Sequence, residues 1–155
     1  MTAVPGDPAG CSQLGAELRT LAARLQDREP TLPDGRERHL VRVLALRLDR
    51  AGEACQRFAQ DLAAAQQELR RLALDVEAAG LVLDGLAVAE PWGVASAETA
   101  QRRRASLPVL QRRSERLGSS AARARGALRR SLDEATAALR AAGAASGPAA
   151  RRHDQ

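Results

Sequence analysis

The residues most able to do chemistry in this 155-residue chain are few and scattered. Its two histidines are His39 and His153, and its two cysteines are Cys11 and Cys55. A structural zinc site draws three or four Cys and His ligands from short, regular spacings, and no such spacing occurs. There is no GxGxxG, GxxxxGK[ST] or HExxH run. The carboxylates recur on what read as the polar faces of long helices, where solvated charge is the ordinary role. Both cysteines fall on apolar stripes and behave as small buried hydrophobes. The sequence therefore predicts no catalytic group, no cofactor and no metal, and a protein that is not an enzyme.

The charged residues are patterned. All 24 basic residues are arginine, a bias typical of a GC-rich, actinobacterium-like source. The net charge of +5 is concentrated. Residues 1–90 are mildly acidic, and residues 91–140 carry the basic excess. The run "QRRRASLPVLQRR" (101–113) makes Arg102, Arg103, Arg104, Arg112 and Arg113 a candidate basic patch for nucleic acid or an acidic partner. It lacks interleaved aromatics for base stacking and matches no recognition-helix motif, which argues against nucleic acid. A basic helical nucleic-acid-binding protein stays the alternative reading.

The elements that carry these residues are helical. Ala, Leu, Arg and Glu dominate. "PGDP" starts a helix, with Asp7 as cap and Pro8 at the first helical position. The stripe Cys11, Leu14, Leu18, Leu21, Leu25 carries it over about 8–26, and "EPTLPDG" (29–35) breaks it. The second helix, about 36–79, has the clearest seam. Val41, Leu44, Leu48, Ala51, Cys55, Phe58, Leu62, Ala65, Leu69, Leu72, Val76 and Ala79 alternate steps of three and four. Gly80 reads as its C-terminal cap, with Leu81 as the apolar contact that follows. "LVLDGLAV" (81–88) holds an Asp-Gly hairpin signal, so it reads as a short ribbon or a loop. A third helix spans about 96–142 on Leu107, Leu110, Ser114, Leu117, Ala121, Ala124, Leu128, Leu132, Ala135, Leu139 and Ala142. Pro108 predicts a kink or restart near Leu107.

The expected fold is all-α. A long antiparallel helical hairpin is joined by the shorter N-terminal helix in a three-helix bundle at one end. It is a single domain, 1–142, with a disordered tail at 143–155. The first helix is too short to cover the second. Phe58, Leu62, Leu69, Leu72 and Val76 therefore form a partner-facing seam, with an exposed strip at Leu69, Leu72 and Val76. A helical partner, or a second copy of the chain, would cover it. The two cysteines should be neighbouring free, buried thiols, because reflection about the 29–35 break places position 11 opposite about position 52.

The only tryptophan stands in "AEPWGVAS" (89–96), beside Gly93. Together with the "PGDP" start, "AELRTLAARLQ" (16–26) and "QDLAAAQQELRRLALDVEAAGLVLDG" (60–85), it resembles WXG-type proteins of type VII secretion. The similarity is closest to the helical N-terminal domains of actinobacterial proteins taken to be type VII-secreted toxins. That resemblance implies a non-enzymatic protein–protein interaction module. Trp92 and Gly93 would sit in the turn of the hairpin, the ring stapling one helix end to the other. Here Trp92 and Gly93 are adjacent, whereas the family signature has one residue between them. The family's C-terminal Tyr-xxx-acid export signal has no counterpart, since the chain has no tyrosine. A signal-less member of a pair or a cytoplasmic helper fits that departure. No secretory signal and no membrane span are read, so the expectation is cytoplasmic synthesis, with any export through type VII secretion and no cleaved signal.

Overall fold

A computed structural model describes residues 5–145. It contains three helices and a two-stranded antiparallel sheet, in the order α1 (Pro8–Arg28), a 3-10 turn (Glu29–Thr31), α2 (Gly35–Ala78), β1 (Val82–Asp84), β2 (Ala87–Ala89) and α3 (Ala97–Ala145). The class is helical, as expected, and each helix end lies within three residues of its expected place. Among the described residues no helix is long and apolar enough to cross a membrane. The expected tail at 143–155 falls mostly outside the described residues. Residues 143–145 are the last residues of α3 and are helical.

Local chemistry explains the boundaries. Pro8 opens α1. Asp34 caps α2, its Oδ1 accepting the Arg36 N–H at 3.0 Å. Ser96 caps α3, its Oγ accepting the Thr99 N–H at 3.2 Å. At the end of α2, Gly80 adopts φ +70. Its N–H donates to the Glu77 carbonyl at 2.8 Å, and the Leu81 N–H donates to the Val76 carbonyl at 2.9 Å. These two bonds form a Schellman motif, and Val76 and Leu81 share the apolar cluster that accompanies it.

"LVLDGLAV" is a true hairpin. Val82 pairs with Ala89, Leu83 with Val88 and Asp84 with Ala87. The loop is Gly85–Leu86, so Asp84 belongs to the strand. Gly85 has φ +61, and among the described residues no non-glycine residue has a positive φ. That excludes a type I′ turn and matches type II′, which wants glycine first.

Pro108 lies inside a continuous α3, so of the kink or restart expected near Leu107 the restart does not occur. A proline ring removes one backbone donor. The flanking Leu107 and Leu110 belong to the apolar cluster or pack against it, which holds the helix through that gap.

The described residues form two compact units. One comprises 8–59 and 125–145. Its buried residues are mostly small: Ala22, Ala45, Ala51, Ala54, Cys55, Ala59 and Ala135, with Leu48. Gly15 and Gly52 meet at the crossing of α1 and α2. A Cβ on Gly15 would lie 2.7 Å from the Gly52 carbonyl oxygen. This close approach shifts the face that α1 buries. Gly15 and Ala22 are buried, Cys11, Leu18 and Leu25 of the expected stripe are half-buried, and Leu14 and Leu21 are exposed. Leu139 on α3 is likewise exposed. Arg19 donates to Asp49 and to Gln56, each at 3.3 Å, Arg42 pairs with Glu29, and Arg47 with Glu134.

The other unit comprises 5–7 and 60–124. Its core is made of larger side chains: Leu69, Leu72 and Val76 from α2, Leu81 and Val88 from the hairpin region, and Leu110 and Leu117 from α3. The hairpin takes the third position beside the two helices. The Val88 N–H donates to Gln111 Oε1 at 2.9 Å, and the buried Ser114 Oγ donates to the Leu86 carbonyl at 2.6 Å. The Leu86 side chain fills the space above Gly118, where a Cβ would meet it at 2.9 Å. Gln111, Ser114 and Gly118 recur at helical spacing and form the track on which the ribbon lies.

Candidate functional site

The structure reverses the expected exposure of the candidate residues. Leu62, Leu69, Leu72 and Val76 are all buried, Leu72 at 0%, and Phe58 is half-buried. The strip expected to await a partner is covered from within the chain. Leu81, Val88, Leu110 and Leu117 cover Leu69, Leu72 and Val76. Gly6 lies against Leu62, and its carbonyl accepts from Gln66 Nε2 at 3.0 Å. Coverage does not depend on the first helix: Leu110 and Leu117 of α3, Val88 of the ribbon and Leu81 before it close the stripe.

Trp92 corrects the second expectation. The ring staples nothing: Trp92 is 104% exposed and Val94 107%. Both lie in the connection between β2 and α3, where Gly93 has φ +128 and open space around it. Pro91 and Gly93 flank the ring, and the Ser96 cap starts α3 four residues later, so the connection is short and anchored at both ends. Trp92 and Gly93 lie in this connection as their motif suggests, and Val94, exposed beside them, carries no motif in the sequence.

The five arginines of the candidate patch do not act together. Arg102 pairs with Glu98 along the helix at 3.1 Å. Arg103 lies over Gly80 with its Nε buried and unbonded among the described residues. Arg113 is half-buried and bridges Glu68 at 2.7 Å and Asp75 at 2.5 Å. Its bonds to Glu68 and then Asp75 raise the guanidinium's pKa above its ordinary value. Arg104 and Arg112 are exposed. Arg112 and Arg113 line an open groove with Arg116 and Arg123, two residues the sequence reading did not single out.

The thiols are neighbours. Cys55 is buried, Cys11 is half-buried, and both are free. Burial pushes the Cys55 thiol up, and the nearby Cys11 pushes it the same way. His39 is exposed on α2, and His153 lies outside the described residues. Among the described residues no group of three or more His, Cys, Asp or Glu side chains is placed to hold a metal ion.

No family model matches the sequence, and no curated protein or solved structure matches it.

Proposed function

We propose that this chain is a non-enzymatic helical interaction module whose contact surface is the Trp92–Val94 connection, acting in type VII secretion as a partner or substrate. One observation carries the reading: the only tryptophan of the chain, with Val94 beside it, is fully exposed on a short anchored segment. A large ring left in water has no role in the core. Tryptophan is among the side chains that contribute most when buried at an interface. Gly93 permits a backbone turn that leaves both side chains outward. The type VII assignment rests on the resemblance of the "PGDP" start and of residues 16–26 and 60–85.

In this reading α2 and α3 form the arms of an antiparallel hairpin, and α1 completes a three-helix bundle with the first part of α2 and the last part of α3. The bridges from Arg113 to Glu68 and Asp75, and from Arg47 to Glu134, support antiparallel arms. A helical protein partner fits such a module.

The test is co-purification from the source cells of the wild-type chain and of a Trp92→Ser, Val94→Ser variant. Leu74→Ser serves as a control, since Leu74 is 66% exposed on α2. A helical partner recovered with wild type and with the control, and lost with the double variant, is the expected result. A partner that survives loss of both Trp92 and Val94 would remove this connection from the interface.

A further inference from the structure

We propose that the outward face of α3 in the 60–124 unit binds the phosphate backbone of duplex nucleic acid through Arg112, Arg116 and Arg123, with the Ser119 and Ser120 hydroxyls as further donors. This surface is separate from the Trp92–Val94 connection and does not depend on the reading above.

Positions 112, 116 and 123 stand four and seven residues apart, which places them on one helical stripe. Leu110, Ser114 and Leu117 occupy the opposite, buried stripe. The five donor residues are exposed and line an open groove of about 980 Å³ with Arg113, Glu68, Glu115 and Leu117. Arg112, Arg116 and Arg123 have no carboxylate partner among the described residues. The two glutamates of the groove are already engaged, Glu68 by Arg113 and Glu115 by Gln111 Nε2 at 3.0 Å. Four arginines against two glutamates leave the groove positive.

From Arg112 to Arg123 the stripe runs about 16 Å along the axis. A duplex carries one phosphate charge per ~1.7 Å of its length, so a ridge of this span meets several phosphates at once. Guanidinium forks and hydroxyls are the donors that bind phosphate oxygens. A line of donors suits a repeating polyanion better than a single ion, which would need them to converge. No aromatic side chain lines the groove, so bases have nothing to stack on and a single strand gains no advantage. Leu117, the one apolar residue there, belongs to the core, so the face has nothing to insert into a bilayer.

Fluorescence anisotropy of a labelled 20-base-pair DNA duplex tests this across a salt series. Polyglutamate and phosphatidylglycerol vesicles are measured in parallel, and circular dichroism checks that each variant stays helical. The expected result is sequence-independent binding in the range of about 10⁻⁴–10⁻⁶ M, with a log–log salt slope of about −3. Arg112→Gln, Arg116→Gln and Arg123→Gln should each remove about one from that slope. Arg102→Gln should leave it unchanged. Absence of duplex binding at low salt would overturn the proposal. So would equal loss in Arg102→Gln, or binding to polyglutamate or vesicles but not to DNA.

Discussion

Ser114 shows how one polar side chain can fix a supersecondary contact. It is 0% exposed, and its hydroxyl donates to the Leu86 carbonyl at the ribbon turn. Leu86 lies at an exposed turn, so its carbonyl can turn to water when the donor is lost and only the net value of the bond is at stake. Ser114→Ala should therefore destabilise the fold by about 0.5–1.5 kcal/mol in urea titration, and a change below ~0.3 kcal/mol would mean that the ribbon is held by its apolar side chains alone. Ser114 is the one polar residue on the third helix's stripe in the sequence. Its hydrogen-bond role was not legible, because the acceptor comes from a turn 28 residues away. Cys55 makes a second case. Its raised pKa means that the fold favours the neutral thiol. Its contribution to stability is complete below the thiol's ordinary pKa and is lost as pH rises through the raised value. In native protein Cys55 should react with a thiol reagent more slowly than Cys11, with a pH midpoint above that of the same residue in denaturant. Equal midpoints would place Cys55 in water.

At the scale of elements, the helix pattern was readable because its cause is local. The alternation of steps along α2 survives in the structure, where all twelve seam residues are buried or half-buried. The same rule held for α1 only in part: Cys11, Leu18 and Leu25 are half-buried, while Leu14 and Leu21 are exposed. Heptad spacing favours the larger apolar residues, so it chose Leu14 and Leu21. The crossing is instead set by Gly15 against Gly52, which lets the two backbones approach and turns Ala22 inward. Gly15→Ala would put a methyl group 2.7 Å from the Gly52 carbonyl oxygen and 2.9 Å from the Gln56 side chain. The backbones must then separate, and a loss of about 1–3 kcal/mol is expected from the overpacking, read as a lower midpoint in thermal unfolding. A neutral or stabilising Gly15→Ala would show that the helices do not meet there, since alanine is otherwise the better helix former. The hairpin was half legible. Asp-Gly announced a turn, but the docking track of Gln111, Ser114 and Gly118 lies in another helix and has no local signature.

For the whole molecule, the sequence points to helices and to an apolar stripe that must be covered. What covers it depends on contacts far apart in the chain. Counting helix lengths left Leu69, Leu72 and Val76 for a partner. Leu81, the ribbon's Val88 and α3's Leu110 and Leu117 close over them instead, and among the described residues the apolar side chains most open to a partner are Trp92 and Val94. The central claim is this exchange: the stripe is satisfied within the chain, and the tryptophan is offered outward. Hydroxyl-radical footprinting of the isolated protein at low micromolar concentration, read by mass spectrometry, tests both halves in one measurement. Trp92 should oxidise as fast in the native protein as in denaturant, while Leu69, Leu72 and Val76 should be protected until the protein unfolds. Protection of Trp92 together with native-state oxidation of Leu72 and Val76 would contradict the account, because the tryptophan would then be buried and the stripe open.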